Sequence, residues 1–134
     1  MTAASESQWV ATRFFNAIER GEIDEVRAIY APKAVIWHNT DGTESTVAEN
    51  LEVLASFVRR IRQRRYENRR IEVFPSGFVQ QHLLTGVRAD GMRLQLPACV
   101  ICQVANGRIT RLDEYFDTAA VAPWMIEFPS QDRA

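Results

Sequence analysis

Apolar residues recur every three to four positions in the N-terminal half of the chain, a spacing typical of amphipathic helices. The first such segment covers residues 7–20, and Gly21 is well placed to end it. A second, short helix is predicted to begin at Asp24 and to stop before Pro32, because the residue before a proline disfavours helical geometry. The pattern thus predicts two helices ahead of the first strand.

The next part of the chain is predicted to change from strand to helix. Residues 34–38 form a short β-prone run, and residues 39–42 are typical of a turn. Ser45 or Thr46, together with Glu49, predicts a capping box at the start of a third helix. The apolar side of that helix consists of Val47, Leu51, Leu54, Phe57, Val58 and Ile61.

Strand-like runs separated by turn signals fill most of the second half of the chain. The predicted strands are residues 66–74, 78–88, 92–105 and 108–117. In the tail over residues 118–134, the apolar side chains expected to need burial are Val121, Trp124, Met125, Ile126 and Phe128. This order of elements predicts an α+β domain, with three helices from the N-terminal half on one face of a curved antiparallel sheet.

The last predicted strand carries an acidic residue among apolar neighbours. Alternate side chains of a strand point to opposite faces. One face would hold Thr110, Leu112, Glu114 and Phe116, and the other Ile109, Arg111, Asp113, Tyr115 and Asp117. Glu114 would then lie between Leu112 and Phe116, where desolvation disfavours a charged carboxylate, as at many functional sites. The alternative is that Glu114 pairs with an arginine or lies at a hydrated edge.

Composition narrows the range of partners. The chain has 134 residues, a length typical of one domain, and its net charge of −1 gives no reason to expect nucleic acid or an anionic membrane as a partner. No apolar run is long enough to span a bilayer, and residues 1–8 lack the apolar core of a signal peptide, so we expect a cytoplasmic protein. Cys99 and Cys102 would point to opposite faces of a strand, which predicts two buried thiols rather than a disulfide.

The strongest charge cluster is the basic run over residues 59–65, followed by Arg69 and Arg70. Arginines at the end of the third helix would complement its dipole and pair with scattered acidic residues. Binding of an anionic ligand, such as a coenzyme A phosphate, is the alternative. The two histidines have no Cys or Asp at the spacing of metal ligands, so no metal site is predicted.

The helices in front, the short strand with residues 37–39, and the closing segment over residues 107–117 together resemble one family. The chain is similar to the SnoaL-like branch of the nuclear transport factor 2-like superfamily, from Gln8 to about Val121. Relatives include polyketide cyclases, limonene-1,2-epoxide hydrolases and ketosteroid isomerases. The resemblance implies one domain over residues 1–134, a cone-shaped sheet wrapped by helices around an apolar pocket, and a homodimer.

The resemblance also implies which side chains face the pocket. The implied wall consists of Phe15, Ile18, Leu83, Thr85, Leu96, Ala98 and Phe116, with Trp124 or Met125 at the mouth. With Trp37 and Asn39 facing inward, strict alternation turns His38 outward, and with Leu83 and Thr85 inward it turns His82 outward. A β-bulge would reverse either assignment. Whether Asp41 faces the pocket or only serves its turn stays open.

The preferred hypothesis is an enzyme without a cofactor that acts on a small, apolar, carbonyl-bearing molecule of polyketide or steroid kind. Glu114 matches the acidic base of the family and would act as general base or acid. Asn39 and Trp37 would orient water or a carbonyl oxygen. The alternative is a non-catalytic module for ligand binding or dimerisation. A third hypothesis is epoxide hydrolysis, which in the family needs an Arg–Asp pair where this chain has Leu83 and Thr85.

Overall fold

A computed structural model describes residues 2–128 of the chain. Its helices are α1 (Ala3–Arg20), α2 (Ile23–Ile29), α3 (Val47–Arg60) and α4 (Thr118–Val121), with a 3-10 turn over Ala122–Met125. Its strands are β1 (Tyr30–His38), β2 (Glu44–Ser45), β3 (Ile61–Phe74), β4 (Gly77–Arg88), β5 (Arg93–Ala105) and β6 (Arg108–Phe116). The predicted α+β class and the order of the major elements are confirmed.

The helix ends follow the predicted chemistry. Gly21 ends α1 in the left-handed conformation, with φ of 73°, and its N–H donates to carbonyls of the last turn. Thr46 is the N-cap of α3, and Glu49 completes the predicted capping box. Both helix ends are determined by residues that are close together in the sequence.

The strands form one six-stranded sheet in the order β2-β1-β6-β5-β4-β3. Successive strands from β3 to β6 pair antiparallel, whereas β1 pairs parallel with β6. The sheet is therefore mixed, where the sequence predicted antiparallel pairing throughout. The parallel pair arises because most of the chain lies between β1 and β6, which leaves room for a long crossover.

Irregularities in the strands curve the sheet. The pairing of β3 with β4 shifts register twice, and Gln63 and Asn68, which lie at the shifts, have positive φ values of 52° and 55°. A third shift leaves Thr110 without a partner in the β5–β6 register. Such bulges bend a strand and reverse its alternation. Ile109 is consequently buried in the core, and its predicted place on the polar face is wrong.

The orientation of β4 differs from the prediction. Residues directly opposite each other in an antiparallel pair share a face. Leu84 lies opposite Leu96, and His82 lies opposite Ala98, so both β4 residues point towards the helices. Leu83 and Thr85 point to the other face, and the assignment of the inward face of β4 was therefore wrong by one residue.

The core lies between α1, α2 and the sheet, and a smaller apolar cluster joins the sheet to the C-terminal segment. Trp124 is buried in that cluster, but Met125 and Ile126 are about half exposed, contrary to the prediction that they need burial. Residues 129–134 of the predicted tail lie outside the described residues. Cys99 and Cys102 are free thiols, as predicted, but only Cys102 is buried and Cys99 is partly exposed. None of the helices in residues 2–128 combines the length and apolarity needed to cross a bilayer.

Candidate functional site

A cavity of about 350 Å³ lies between α3, the inward face of the sheet and the C-terminal segment. Its walls are mostly apolar, with residues of α3, of the strands and of the segment that carries Trp124 and Met125. The predicted wall residues Leu96 and Phe116 line it, and Leu84 lines it in place of Leu83. An apolar cavity with a few convergent polar groups is typical of a small-molecule site.

A smaller cavity of about 40 Å³ lies beside the first and shares several of its wall residues. The predicted wall residues Phe15 and Ile18 line this inner space, next to Tyr30 and Val100. The volume is sufficient for a water molecule. The side chains common to both cavities are His38, Asn50, Leu54, Tyr66 and Glu114.

Glu114 faces the cavities, where it pairs with His38. Register places His38 at the end of β1 beside Glu114 on the parallel strand β6, so their side chains share a face. The His38 Nε2 atom lies 3.0 Å from Glu114 Oε1, and about a quarter of each side chain is exposed (25% and 22%). Strict alternation predicts an outward orientation for His38, and that prediction is wrong.

The environment of this pair shifts the imidazole towards its charged form. Burial alone lowers the pKa of His38, but the hydrogen bond to Glu114 and the charge of that carboxylate raise it, with a further contribution from Asp41. The net result is a pKa above the ordinary value of 6.5. A histidine side chain can exchange a proton near neutral pH.

Trp37 lies on the opposite face of the sheet. Its ring packs against that of Tyr115, with 5.1 Å between centroids, and Tyr115 is 45% exposed. The inward orientation predicted for Trp37 is therefore wrong. Since His38 and Trp37 are neighbours on one strand, the error in one orientation entails the error in the other.

Asn39 continues the pairing of β1 with β6 instead of lining the cavity. Its Nδ2 donates to the Phe116 carbonyl at 2.9 Å, and the Phe116 N–H donates to Asn39 Oδ1 at 3.1 Å. Its own N–H donates to the Glu114 carbonyl at 3.0 Å. Both ends of the side-chain amide are thus occupied by the backbone that carries Glu114 and Phe116.

Two polar side chains that are not among the predicted site residues line both cavities. Asn50, on α3, accepts a hydrogen bond from the Tyr30 hydroxyl through Oδ1 at 2.8 Å. Tyr66, on β3, lines both cavities, and burial raises the pKa of its hydroxyl. The phenol is therefore protonated and can donate a hydrogen bond into the cavity. Asn50 could have been predicted, because it is a polar residue within the apolar pattern of α3. The orientation of Tyr66 could not, because the bulges in β3 interrupt the alternation of its side chains.

The second histidine, His82, is buried in the core and makes no part of the cavity wall, so its predicted outward orientation is wrong. Its Nδ1 lies 2.9 Å from Gln80 Nε2, and its ring meets that of Tyr66 edge-on. Burial lowers its pKa to about 4, although the charge of Glu114 acts in the opposite direction. His82 is thus neutral at physiological pH.

Three other predicted wall residues are not in the wall. Thr85 lines a groove on the outer face of the sheet with Arg65 and Gln95. Leu83 shares that outward orientation, and Ala98 faces inward without lining either cavity. Over residues 80–85, the β4 side chains on the inward face are Gln80, His82 and Leu84, so no Arg–Asp pair lies in this part of the strand.

Asp41 lies at the rim of the larger cavity and is exposed. Its Oδ1 accepts a hydrogen bond from the Thr43 N–H at 3.0 Å, and that hydrogen bond lowers its pKa. The two alternatives left open for Asp41 are therefore both realised, because the residue stabilises its turn and also borders the cavity.

The basic run mainly stabilises helix ends. Arg64 donates to the carbonyls of Ile18 and Glu19 at the end of α1, and to that of Val58 in α3. Arg69 pairs with Glu19 at 3.1 Å. These contacts confirm the prediction that the arginines complement helix ends and acidic residues. Within this run, Arg60 lines the larger cavity.

No cluster of three or more His, Cys, Asp and Glu side chains suited to a metal ion occurs in residues 2–128. The site offers a carboxylate, an imidazole and the neutral donors around them. These groups can accept a proton, return it, and hydrogen-bond a carbonyl oxygen.

Solved structures share this fold at low sequence identity. A protein of Xanthomonas campestris pv. campestris, provisionally named a polyketide cyclase, superposes with a TM-score of 0.79 at 18% identity, over 90% of this chain and all (100%) of the other. An M. tuberculosis LEH-like epoxide hydrolase superposes with a TM-score of 0.77 at 19% identity, over 92% of each chain. A hypothetical protein with a ketosteroid isomerase-like fold from Catenulispora acidiphila DSM 44928, in complex with trimethylamine, reaches 0.75 at 11% identity, over 86% of this chain and 90% of the other.

These likenesses show the fold, while different chemistries occur on this same scaffold. No curated protein matches the sequence. The profile of the SnoaL-like domain family matches residues 11–112, which is most of the chain. The chain therefore belongs to the SnoaL-like domain family.

Proposed function

We propose that this protein is an enzyme that performs general acid/base chemistry, of the isomerase or cyclase kind, on an apolar carbonyl compound of polyketide or steroid type. The observation that carries the proposal is the pair of Glu114 and His38 in the wall of a largely apolar cavity. A carboxylate at such a place can remove a proton from the carbon next to a carbonyl group. No cofactor is required for that step.

Glu114 is the proposed general base. Its Oε1 is engaged by His38, which leaves Oε2 to accept the proton from the substrate carbon. The C–H electron pair then becomes the enolate, with its negative charge on the substrate oxygen. In an isomerisation, Glu114 returns the same proton to another carbon, so the substrate neither gains nor loses atoms. His38 holds the carboxylate in place through the contact of its Nε2 atom with Oε1.

Tyr66 is the proposed donor to the substrate oxygen. A protonated phenol that faces the cavity from the strand β3 can stabilise the developing enolate charge in a site of low dielectric. Asn50 lies in the same wall, and since its Oδ1 accepts from Tyr30, its amide N–H groups are the part of the side chain that can donate to a substrate oxygen. Asn39 is a positioning residue that fixes the β6 backbone at Phe116, two residues after Glu114, and also donates its own N–H to the Glu114 carbonyl.

The decisive experiment is replacement of Glu114 by Gln, assayed for isomerisation, cyclisation and hydration over a panel of apolar carbonyl compounds. Loss of a general base is expected to lower kcat roughly 10²- to 10⁴-fold. Asp113→Asn is the matched control, since Asp113 directly precedes Glu114 in β6 and pairs with Arg111 on the outer face. An unchanged rate in Glu114→Gln, on a substrate that the wild type converts, would contradict the proposal.

A non-catalytic binding module is the alternative function. This alternative predicts that an arginine neutralises Glu114 and that the pocket is narrow or filled. Glu114 is instead paired with His38, beside a cavity of about 350 Å³, which supports the enzyme more than the binding module. Thermal-shift screening against apolar metabolites tests the alternative, because a ligand that binds the folded state raises its apparent stability. Ligands that stabilise the protein without being converted would favour the binding module.

Epoxide hydrolysis has less support. Over residues 80–85, the inward residues of β4 are Gln80, His82 and Leu84, and none of them replaces the missing Arg–Asp pair. We also propose a homodimer through the outer face of the sheet, where Trp37 packs against Tyr115. Sedimentation at micromolar concentration tests it, and a monomer would contradict it. The cytoplasmic location stays a prediction.

A further inference from the structure

Arg60 is a charged residue of the cavity wall that the proposed mechanism does not use. It is the last residue of α3, and its side chain is only 11% exposed, whereas that of the neighbouring Arg59 is 67% exposed. Around it, the cavity wall is formed by apolar rings, including Phe57 and Trp124. A permanently charged guanidinium in such surroundings costs free energy unless its charge is compensated.

The partners of Arg60 within residues 2–128 compensate that charge weakly. Its Nε donates to the Ser56 hydroxyl at 3.1 Å, and Nη1 donates to the Trp124 carbonyl, and both acceptors are neutral. The nearest carboxylate is that of Glu127, 3.9 Å from Nε and 65% exposed, where water screens it. Neither the two hydrogen bonds nor the ion pair engages Nη2.

The remaining ionisable groups of the cavity have partners of their own. Glu114 and His38 are paired with each other, and Asp41 is exposed, with its carboxylate bound to the Thr43 backbone. None of these acids forms an ion pair with Arg60 in the described residues. Within residues 2–128, the cavity therefore presents a carboxylate–imidazole pair and, separately, a guanidinium whose only carboxylate partner is the exposed Glu127, 3.9 Å away.

We propose that Arg60 binds a carboxylate group of the substrate, so that the substrate is an apolar carbonyl compound that is also an acid. The planar fork of N–H donors in a guanidinium matches the two oxygens of a carboxylate, and hydrogen bonds between such charged groups are stronger than neutral ones. The inference rests on the proposed function for the carbonyl group. It deepens that function by naming a second feature of the substrate.

The test compares an acid with its uncharged isostere by titration calorimetry at pH 7.5. The probes are benzoate, 2-naphthoate and 2-anthroate, each paired with the corresponding primary amide. The wild-type protein is expected to bind at least one acid roughly 10-fold or more tighter than its amide. Arg60→Gln keeps a donor for the Trp124 carbonyl but removes the charge, and it is expected to abolish the preference.

Arg88→Gln is the matched control. Arg88 holds the same C-terminal segment through the Pro123 carbonyl at 3.2 Å, yet it does not line the cavity. This variant is expected to keep the preference for the acid. Arg60→Lys restores a charge without the planar fork and is expected to recover part of the preference.

Two results would overturn the inference. If Arg60 only anchors the C-terminal segment, Arg60→Gln weakens acid and amide equally and the preference survives. If the wild type shows no preference for any acid, including the case in which none of the probes binds, the proposed role of Arg60 is wrong. Because binding needs no turnover, the acid preference can persist when Glu114→Gln leaves the rate unchanged, so the two proposals fail separately.

Discussion

His38 and His82 lie on the same face of one sheet, and they show how a neighbour decides what a histidine does. His38, at the end of β1, faces a carboxylate 3.0 Å away and borders two cavities. His82, in the middle of β4, lies among the rings of Phe15 and Tyr66 with an amide as its polar neighbour. The pKa of His38 is raised and that of His82 is lowered to about 4.

Burial acts in the same direction at both sites, since it disfavours the imidazolium. The carboxylate of Glu114 reverses that effect at His38, where it accepts a hydrogen bond, and only reduces it at His82, which it does not contact. Of the two, His38 alone combines a charged partner with access to a cavity. A buried histidine is thus informative about function only when its partner and its access are known.

The largest expected effect separates the two histidines by activity. His38→Gln is expected to lower kcat by roughly 10²-fold or more on any substrate that Glu114 converts, because the carboxylate loses its charged partner. His82→Gln, measured by the same assay, is expected to change kcat by less than about tenfold, since His82 does not line the cavity. Equal losses of kcat in the two variants would show that contact with Glu114 does not distinguish His38 from His82 in catalysis.

The next effect concerns stability in acid. Because the pKa of His82 is lowered from 6.5 to about 4 in the folded protein, the unfolded chain binds more protons between those values. The free energy of unfolding is therefore expected to fall as pH drops through that window, by up to roughly 3 kcal/mol from this residue. Urea unfolding of the wild type and His82→Gln between pH 7 and pH 4 measures it, and identical pH slopes would contradict the prediction.

Asn39→Ala tests how far the acid/base pair depends on the strand that carries it. Two hydrogen bonds between the Asn39 side chain and the Phe116 backbone would be lost, at a cost of about 2 kcal/mol. A fall in kcat without a comparable rise in KM is also expected, because Glu114 would be held less firmly. Asp117→Ala, which removes the N-cap of α4 just beyond β6, controls for a general loss of stability. Equal kcat values in the two variants would show that Asn39 has no positioning role.

The smallest effect has the opposite pH dependence. Since the pKa of His38 is raised in the folded protein, its interaction with Glu114 is fully present below the ordinary value of 6.5 and is lost as pH rises through the raised pKa. The wild type is expected to lose up to about 1 kcal/mol more stability than His38→Gln on that rise, since the pair is partly exposed. Stability curves that stay parallel from pH 6 to pH 9 would argue against a charged pair.

Local chemistry made much of the fold predictable. Gly21 and the Thr46–Glu49 capping box are read from single residues, and each lies at a helix end in the structure. The inward face that the resemblance implied for Leu96 in β5 is also correct, since Leu96 lines the cavity. Glu114, chosen for its place between apolar neighbours, faces the cavity.

The errors occur where a strand has no clear polar face. Residues 81–85 of β4 mix polar and apolar side chains on both faces, so alternation alone did not define the phase. The pairing of Leu84 with Leu96 defines it, and that pairing is a contact between strands. The phase of β1 is ambiguous in the same way, since Trp37 and His38 are both compatible with a buried position. It is decided by contacts with β6, where His38 lies beside Glu114 and Trp37 packs against Tyr115.

The sequence by itself determined the order of the major helices and strands, the helix caps and the place of the carboxylate at position 114 between apolar neighbours, because each depends on residues close together along the chain. Only the tertiary structure decided that His38 is the partner of Glu114, that His82 is buried, and that Arg60 lies in the cavity wall. The physical reason is that these assignments depend on the register between strands and on the packing of α3 and the C-terminal segment over the sheet. Residues far apart in the sequence meet there, and no local pattern records which of them will be neighbours.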